Sequence, residues 1–109
     1  MAETLSVLAQ SAPASVTLTD AYTVPGATTA VVSSFTACNQ TAAATTFRIS
    51  VAIAGAADTP AQYLFYDLPL PANDTYKDVL GITLGAADVV RVYSGNGSVS
   101  FNLFGAQET

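Results

Sequence analysis

The cleanest pattern in the chain is an alternation of apolar and polar positions from Thr45 to Ala54. Phe47, Ile49, Val51 and Ile53 fall on one side, and Arg48, Ser50, Ala52 and Ala54 on the other. A period of two is that of an antiparallel strand with one buried face and one covered or solvated face. A second signal lies near the C-terminus. Val89, Val90, Val92 and Tyr93 precede Ser94-Gly95-Asn96-Gly97, and Val99, Phe101, Leu103 and Phe104 follow it. Gly and Asn tolerate positive φ, so this tetrapeptide predicts a β-hairpin with a tight loop at Ser94–Ser98 and Gly95 or Gly97 at positive φ.

Further strands follow from the same reasoning. Ser15 to Val24 and Thr28 to Cys38 are apolar-periodic runs separated by Pro25-Gly26, a strong turn signal. Ala61 to Leu70 places Tyr63, Phe65 and Asp67 on one side and Leu64, Tyr66 and Leu68 on the other, apolar on both faces, before Pro69 and Pro71 end it. Asn73 to Leu84 reads as a strand with an irregular middle. Any helix is confined to a turn or two near Asn73 to Val79, because Gly81, Ile82 and Thr83 disfavour more. About eight strands at about 8–12-residue spacing predict an all-β, single antiparallel sandwich or jelly-roll-like domain. Residues 1–14 form an N-terminal arm or edge strand, broken at Ser11-Ala12-Pro13-Ala14, and residues 15–109 form the sandwich.

Composition narrows the chemistry. A chain of 109 residues forms one domain with a respectable core. Only 10% of residues are charged, against the usual quarter, and 20 alanines and 14 threonines make the surface small and neutral. The net charge of −5 comes from three basic and eight acidic residues. Nucleic acid needs a basic footprint to neutralise phosphates, and an anionic membrane surface needs the same, so neither is an expected partner. No run approaches the roughly 18 apolar residues of a membrane helix. The first residues, with Glu3 and no basic stretch, do not read as a secretory signal, so the expected site of synthesis is the cytoplasm.

Candidate chemistry is sparse. The chain has no histidine, so Cys38 has no such base beside it and reads as a small buried hydrophobe. The carboxylates are scattered singly, and Asp74 and Asp78 around Lys77 read as a solvated loop end. Asn39, Asn73 and Asn96 each open an Asn-X-Thr/Ser triplet and read as turns. Arg48 and Arg91 are expected to pair with Asp67 or Asp88 across strands, or to anchor an interface. Tyr22, Tyr63, Tyr66, Tyr76 and Tyr93, with Phe65, form either sheet packing or an aromatic sugar-stacking face. No nucleophile–base pair and no metal cluster assembles, so the expectation is a non-enzyme without cofactor or metal.

Several phrases run through the chain: Tyr22-Thr23-Val24-Pro25, Ala30-Val31-Val32-Ser33-Ser34, Thr45-Thr46-Phe47-Arg48, Tyr66-Asp67-Leu68-Pro69, Asn73-Asp74-Thr75, Leu80-Gly81-Ile82-Thr83-Leu84, Asp88-Val89-Val90-Arg91-Val92-Tyr93 and Ser98-Val99-Ser100-Phe101-Asn102-Leu103-Phe104-Gly105. With these, the sequence resembles a family of small virion-associated structural proteins of tailed bacteriophages, from about Val7 to Gly105. The resemblance implies a component of the phage particle, first a capsid decoration (cement) protein bound to the major capsid protein on the outside of the head. Second comes a tail, neck or fibre-associated binding module, with glycan as one possible ligand. It carries no active site. The residues expected to contact a partner or a second copy in a dimer or trimer are Leu5, Val7 and Leu8, which could add to a neighbour's sheet, and Tyr63, Phe65 and Tyr66 on the doubly apolar strand.

Overall fold

A computed structural model describes residues 3–109. Eight strands follow one another: β1 (Glu3–Ser11), β2 (Thr19–Thr23), β3 (Thr29–Asn39), β4 (Thr45–Ala52), β5 (Tyr63–Leu70), β6 (Thr75–Leu84), β7 (Val89–Ser94) and β8 (Val99–Glu108). They form two four-stranded antiparallel sheets, sheet A in the order β1-β8-β3-β6 and sheet B in the order β2-β7-β4-β5. The pairs β1:β8, β2:β7, β3:β6 and β4:β5 are those of one long antiparallel ribbon bent back on itself between β4 and β5. Rolling that ribbon up brings β3 beside β8 and β4 beside β7. The result is a jelly roll, the expected all-β sandwich.

This topology corrects the reading of the C-terminal stretch. β7 has both edges occupied, by β2 and β4, and β8 lies in the other sheet between β1 and β3. Ser94–Ser98 is therefore a sheet-to-sheet crossover, and neither Gly95 nor Gly97 has a positive φ. Neighbouring loops hold it in place. Val16 N–H donates to Ser94 O at 2.9 Å, Gly95 N–H to Thr46 O at 3.0 Å and Gln40 N–H to Ser98 O at 2.9 Å. Among the described strands, β4–β5 is the only hairpin between consecutive elements. The two 3-10 turns, Ile53–Gly55 and Pro60–Gln62, both lie in its loop. Asn73 to Val79, the stretch to which any helix was confined, contains none and leads into β6, which has the irregular middle anticipated for it.

The core lies between the sheets. Phe35, Val32 and Ala37 of β3 and Val99, Phe101 and Leu103 of β8 meet Phe47 and Ile49 of β4 and Val90 and Val92 of β7, all almost fully buried. Burial of a side chain this large stabilises by about 2 kcal/mol. Phe35, Phe47, Phe65, Tyr76 and Phe101 form one aromatic cluster with ring centroids 5.2–6.2 Å apart. Cys38, expected to be buried, is only half-buried, because its place on β3 alternates with core-facing Ala37 and Asn39.

Asn39 is the buried polar anchor of one end of the sandwich. Its Nδ2 donates to Ala43 O at 2.8 Å and Pro71 O at 3.1 Å, and its Oδ1 accepts from the Thr41 amide and hydroxyl at 3.1 and 2.9 Å. It thereby ties the β3–β4 and β5–β6 connections together, and a buried amide used in this way is not presented for glycosylation.

Two irregularities shape sheet A. Ser33 is an extra residue in β3 between the paired positions Val32 and Ser34. Beside this bulge the backbones approach so closely that a Cβ on Gly105 would sit 1.9 Å from Val31 O, so only glycine fits. On the other flank, β6 places Leu80 and Gly81 opposite the same bulge, with Gly81 at φ +66°.

Candidate interaction surfaces

The outer face of sheet B is covered by its own hairpin loop. β4 ends at Ala52, and Ala54 and Gly55, at φ +53° and +72°, turn the chain over the sheet so that Gly55 lies against Val89. Asp88 fixes this turn by accepting the Ala54 amide at 2.9 Å. Arg91 clamps it from below, donating to Ala56 O at 2.9 Å and Gly55 O at 3.3 Å while pairing with Asp20 at 2.9 Å. Asp20, rather than Asp88, is the partner of Arg91, because the Asp88 carboxylate is occupied by the Ala54 and Gly85 amides. Beneath the loop Ser50, Ala52 and Val89 are buried on the face opposite the core cluster. The polar side of the clean β4 alternation is thus covered rather than solvated.

Beyond the loop, sheet B carries an organised side-chain cluster. Phe47 pairs with Leu68 and Ile49 with Phe65, so the single residue Arg48 lies opposite both Tyr66 and Asp67. Asp67 has φ +51°, a conformation Asp adopts more readily than most residues. The bulge turns Phe65 and Leu68 both inward and leaves Tyr66 and Asp67 together at Arg48. The strict alternation expected for β5, with Phe65 beside Asp67 and Tyr66 beside Leu68, fails for that reason.

Arg48 is held from three sides. Its Nε and Nη2 donate to the two Asp67 carboxylate oxygens at 2.7 and 3.2 Å, and its guanidinium carbon lies 4.1 Å from the Tyr66 ring centroid and 4.2 Å from that of Tyr93. A planar cation between two rings gains from both π faces. The hydrogen bond to Asp67 raises the Arg48 pKa above its ordinary value against a smaller opposing effect of burial, so the group stays charged. The Tyr63 ring stands perpendicular to that of Tyr66 at 5.0 Å, and its hydroxyl donates to Asp58 at 3.0 Å. Desolvation, then this bond, pushes the Tyr63 phenol above its usual 10.0.

Among the described residues no loop covers the outer face of sheet A. Directly paired residues of neighbouring strands share a face, so the register lays out two rows: Leu5, Ala106, Val31 and Thr83, then Val7, Phe104, Ser34 and Val79. Leu5 is 78% exposed, Val7 50% and Val79 81%. This uncharged, largely apolar band crosses all four strands. The row containing Glu3 and Glu108 borders it on one side. Gln10, Asn102, Thr36 and Lys77 border it on the other, where Gln10 donates to Asn102 at 2.9 Å.

The expected contact residues therefore divide. Leu5 and Val7 lie on β1, an edge strand paired along its length with β8, and they project from sheet A. Leu8 is the extra residue at the β1 bulge and packs against the core. Tyr66 and Tyr63 sit in the sheet B cluster, whereas Phe65 belongs to the interior aromatics. Tyr22 and Tyr76 also turn inward, so the five tyrosines are not one face. Sequence reasoning missed Val31, Val79, Phe104 and Ala106, whose kinship appears only once β6, β3, β8 and β1 are ordered. Among the described residues no three of His, Cys, Asp and Glu come together as a metal site. No protein-family model matches this chain, and no curated protein matches it significantly.

Proposed function

We propose that this chain is a non-enzymatic structural protein of a tailed-bacteriophage particle, a decoration protein that seats the outer face of sheet A on the assembled head. The family resemblance supplies the virion. The observation that carries the docking face is the uncharged band of Leu5, Val7, Val31, Val79, Phe104 and Ala106. An exposed apolar patch rimmed by polar residues is the composition of a protein–protein interface. The occupant in this reading is the shell rather than a second copy, because two copies would each bring a net charge of −5. A nearly charge-free face lets an acidic protein dock without burying unpaired carboxylates.

The test is cosedimentation of the purified protein with particles of the phage that encodes it. Side-chain-resolution microscopy of intact particles then fixes the position. Wild type is expected on the outside of the head, with sheet A inward, and Val31→Asp is expected in the supernatant. A protein absent from particles, or bound at the tail, refutes the decoration role.

A further inference from the structure

We propose a second, independent site on the opposite side of the domain, a shallow carbohydrate-binding cleft for a neutral pyranose glycan. Arg48, Tyr63 and Tyr66 form one wall, and Asp58, Thr59 and Pro60 of the β4–β5 loop form the other, enclosing about 480 Å³. That volume lies within the range of about 300–1,000 Å³ for small-molecule sites. Tyr66 is 61% exposed although Arg48 and Tyr63 both touch it, so ring surface remains open to the cleft. A pyranose presents a face of weakly positive C–H bonds that packs on the negative face of an aromatic ring. Its hydroxyls meet acceptors on the Asp58 carboxylate and hydroxyl groups on Thr59 and Tyr66.

Electrostatics select the ligand class. The one cation of the cleft, Arg48, is already bound bidentately by Asp67, and Asp58 adds a carboxylate, so an anionic ligand would have to displace a strong pair. A cationic ligand would meet Arg48 stacked on the same ring. A neutral, polyhydroxylated molecule faces neither cost. Preorganisation supports the same conclusion. Tyr66 is held by the Arg48 stack and Tyr63, while the loop wall is tied down by the Tyr63 hydroxyl donating to Asp58 and by Gln62, whose amide donates to Thr59 O and whose side chain donates to Ala57 O. Side chains fixed before binding lose little rotamer freedom on binding.

The test is a glycan array spanning neutral hexoses, N-acetylhexosamines and uronic- or sialic-acid-terminated glycans, followed by titration of the strongest hits against wild type, Tyr66→Ala and Tyr66→Phe. Neutral glycans are expected to bind wild type and Tyr66→Phe, and Tyr66→Ala to bind at least about tenfold more weakly while keeping a cooperative melting transition that is only slightly lowered. Binding of acidic glycans alone, no hits, or equal binding by Tyr66→Ala overturns the proposal. Particle cosedimentation of Tyr66→Ala, expected to equal wild type, separates failure of this site from failure of the docking face.

Discussion

The two outer faces of this jelly roll are finished in opposite ways. Sheet B is covered by the loop of the one β4–β5 hairpin, and what remains open is an interlocked Tyr–Arg–Tyr stack. Among the described residues no loop covers sheet A, and its outer face is a band of Leu, Val, Phe and Ala side chains. The difference follows from topology. The longest connection between strands, residues 53–62, joins β4 and β5, both of sheet B, and it folds back over that sheet. The opposite sheet is either clothed by polar side chains or left for another molecule. Here the side chains are apolar.

The comparison is broken most severely at the backbone of sheet A. Gly105→Ala places a methyl 1.9 Å from Val31 O, so β8 and β3 must separate at the Ser33 bulge. A loss of about 3 kcal/mol in denaturant titration is expected. Loss under about 0.5 kcal/mol means the two backbones are not in that close contact. Next is Asn39→Ala, which strands the carbonyls of Ala43 and Pro71 and is expected to cost about 2 kcal/mol. Losses of this size would place the stability in the sheets and their ends rather than on either outer face.

Much of this was legible in the sequence, for definite reasons. The period-two pattern of Phe47 and Ile49, the Pro25-Gly26 turn and the strand spacing report local backbone preference, and the eight-stranded sandwich follows from them. What was not legible is nonlocal. Ser94-Gly95-Asn96-Gly97 has hairpin chemistry, yet β7 finds both edges taken by β2 and β4, a fact written in distant residues. The bulge at Tyr66-Asp67 likewise defeats strict alternation, and it creates the Arg48 cluster. The one local hint is that Phe65 and Leu68, three apart, are both apolar.

Smaller effects sharpen the account of sheet B. Arg48→Ala removes the two ring contacts and the Asp67 pair on a partly exposed face, with an expected loss of about 1 kcal/mol by thermal melting. A loss above about 3 kcal/mol would make the cluster a second core. Smallest is the pH dependence of Tyr63. Its folded pKa lies above the usual 10.0, so its contribution is full below pH 10 and is lost as pH rises through the folded value. In an ultraviolet titration, Tyr63→Phe is expected to remove a late-titrating phenol. Loss of an early-titrating one instead would contradict the burial and the Asp58 bond.

The most direct test of the division between faces is hydroxyl-radical footprinting of the protein free and bound to its particles, read by mass spectrometry at single residues. Leu5, Val7, Val79 and Tyr66 are each at least half exposed, so each reports its own change in labelling between the free and bound protein. On binding, Leu5, Val7 and Val79 are expected to lose most of their labelling while Tyr66 keeps its own. Protection of Tyr66 with undiminished labelling of Val7 and Val79 would contradict the account, placing the docking face on sheet B.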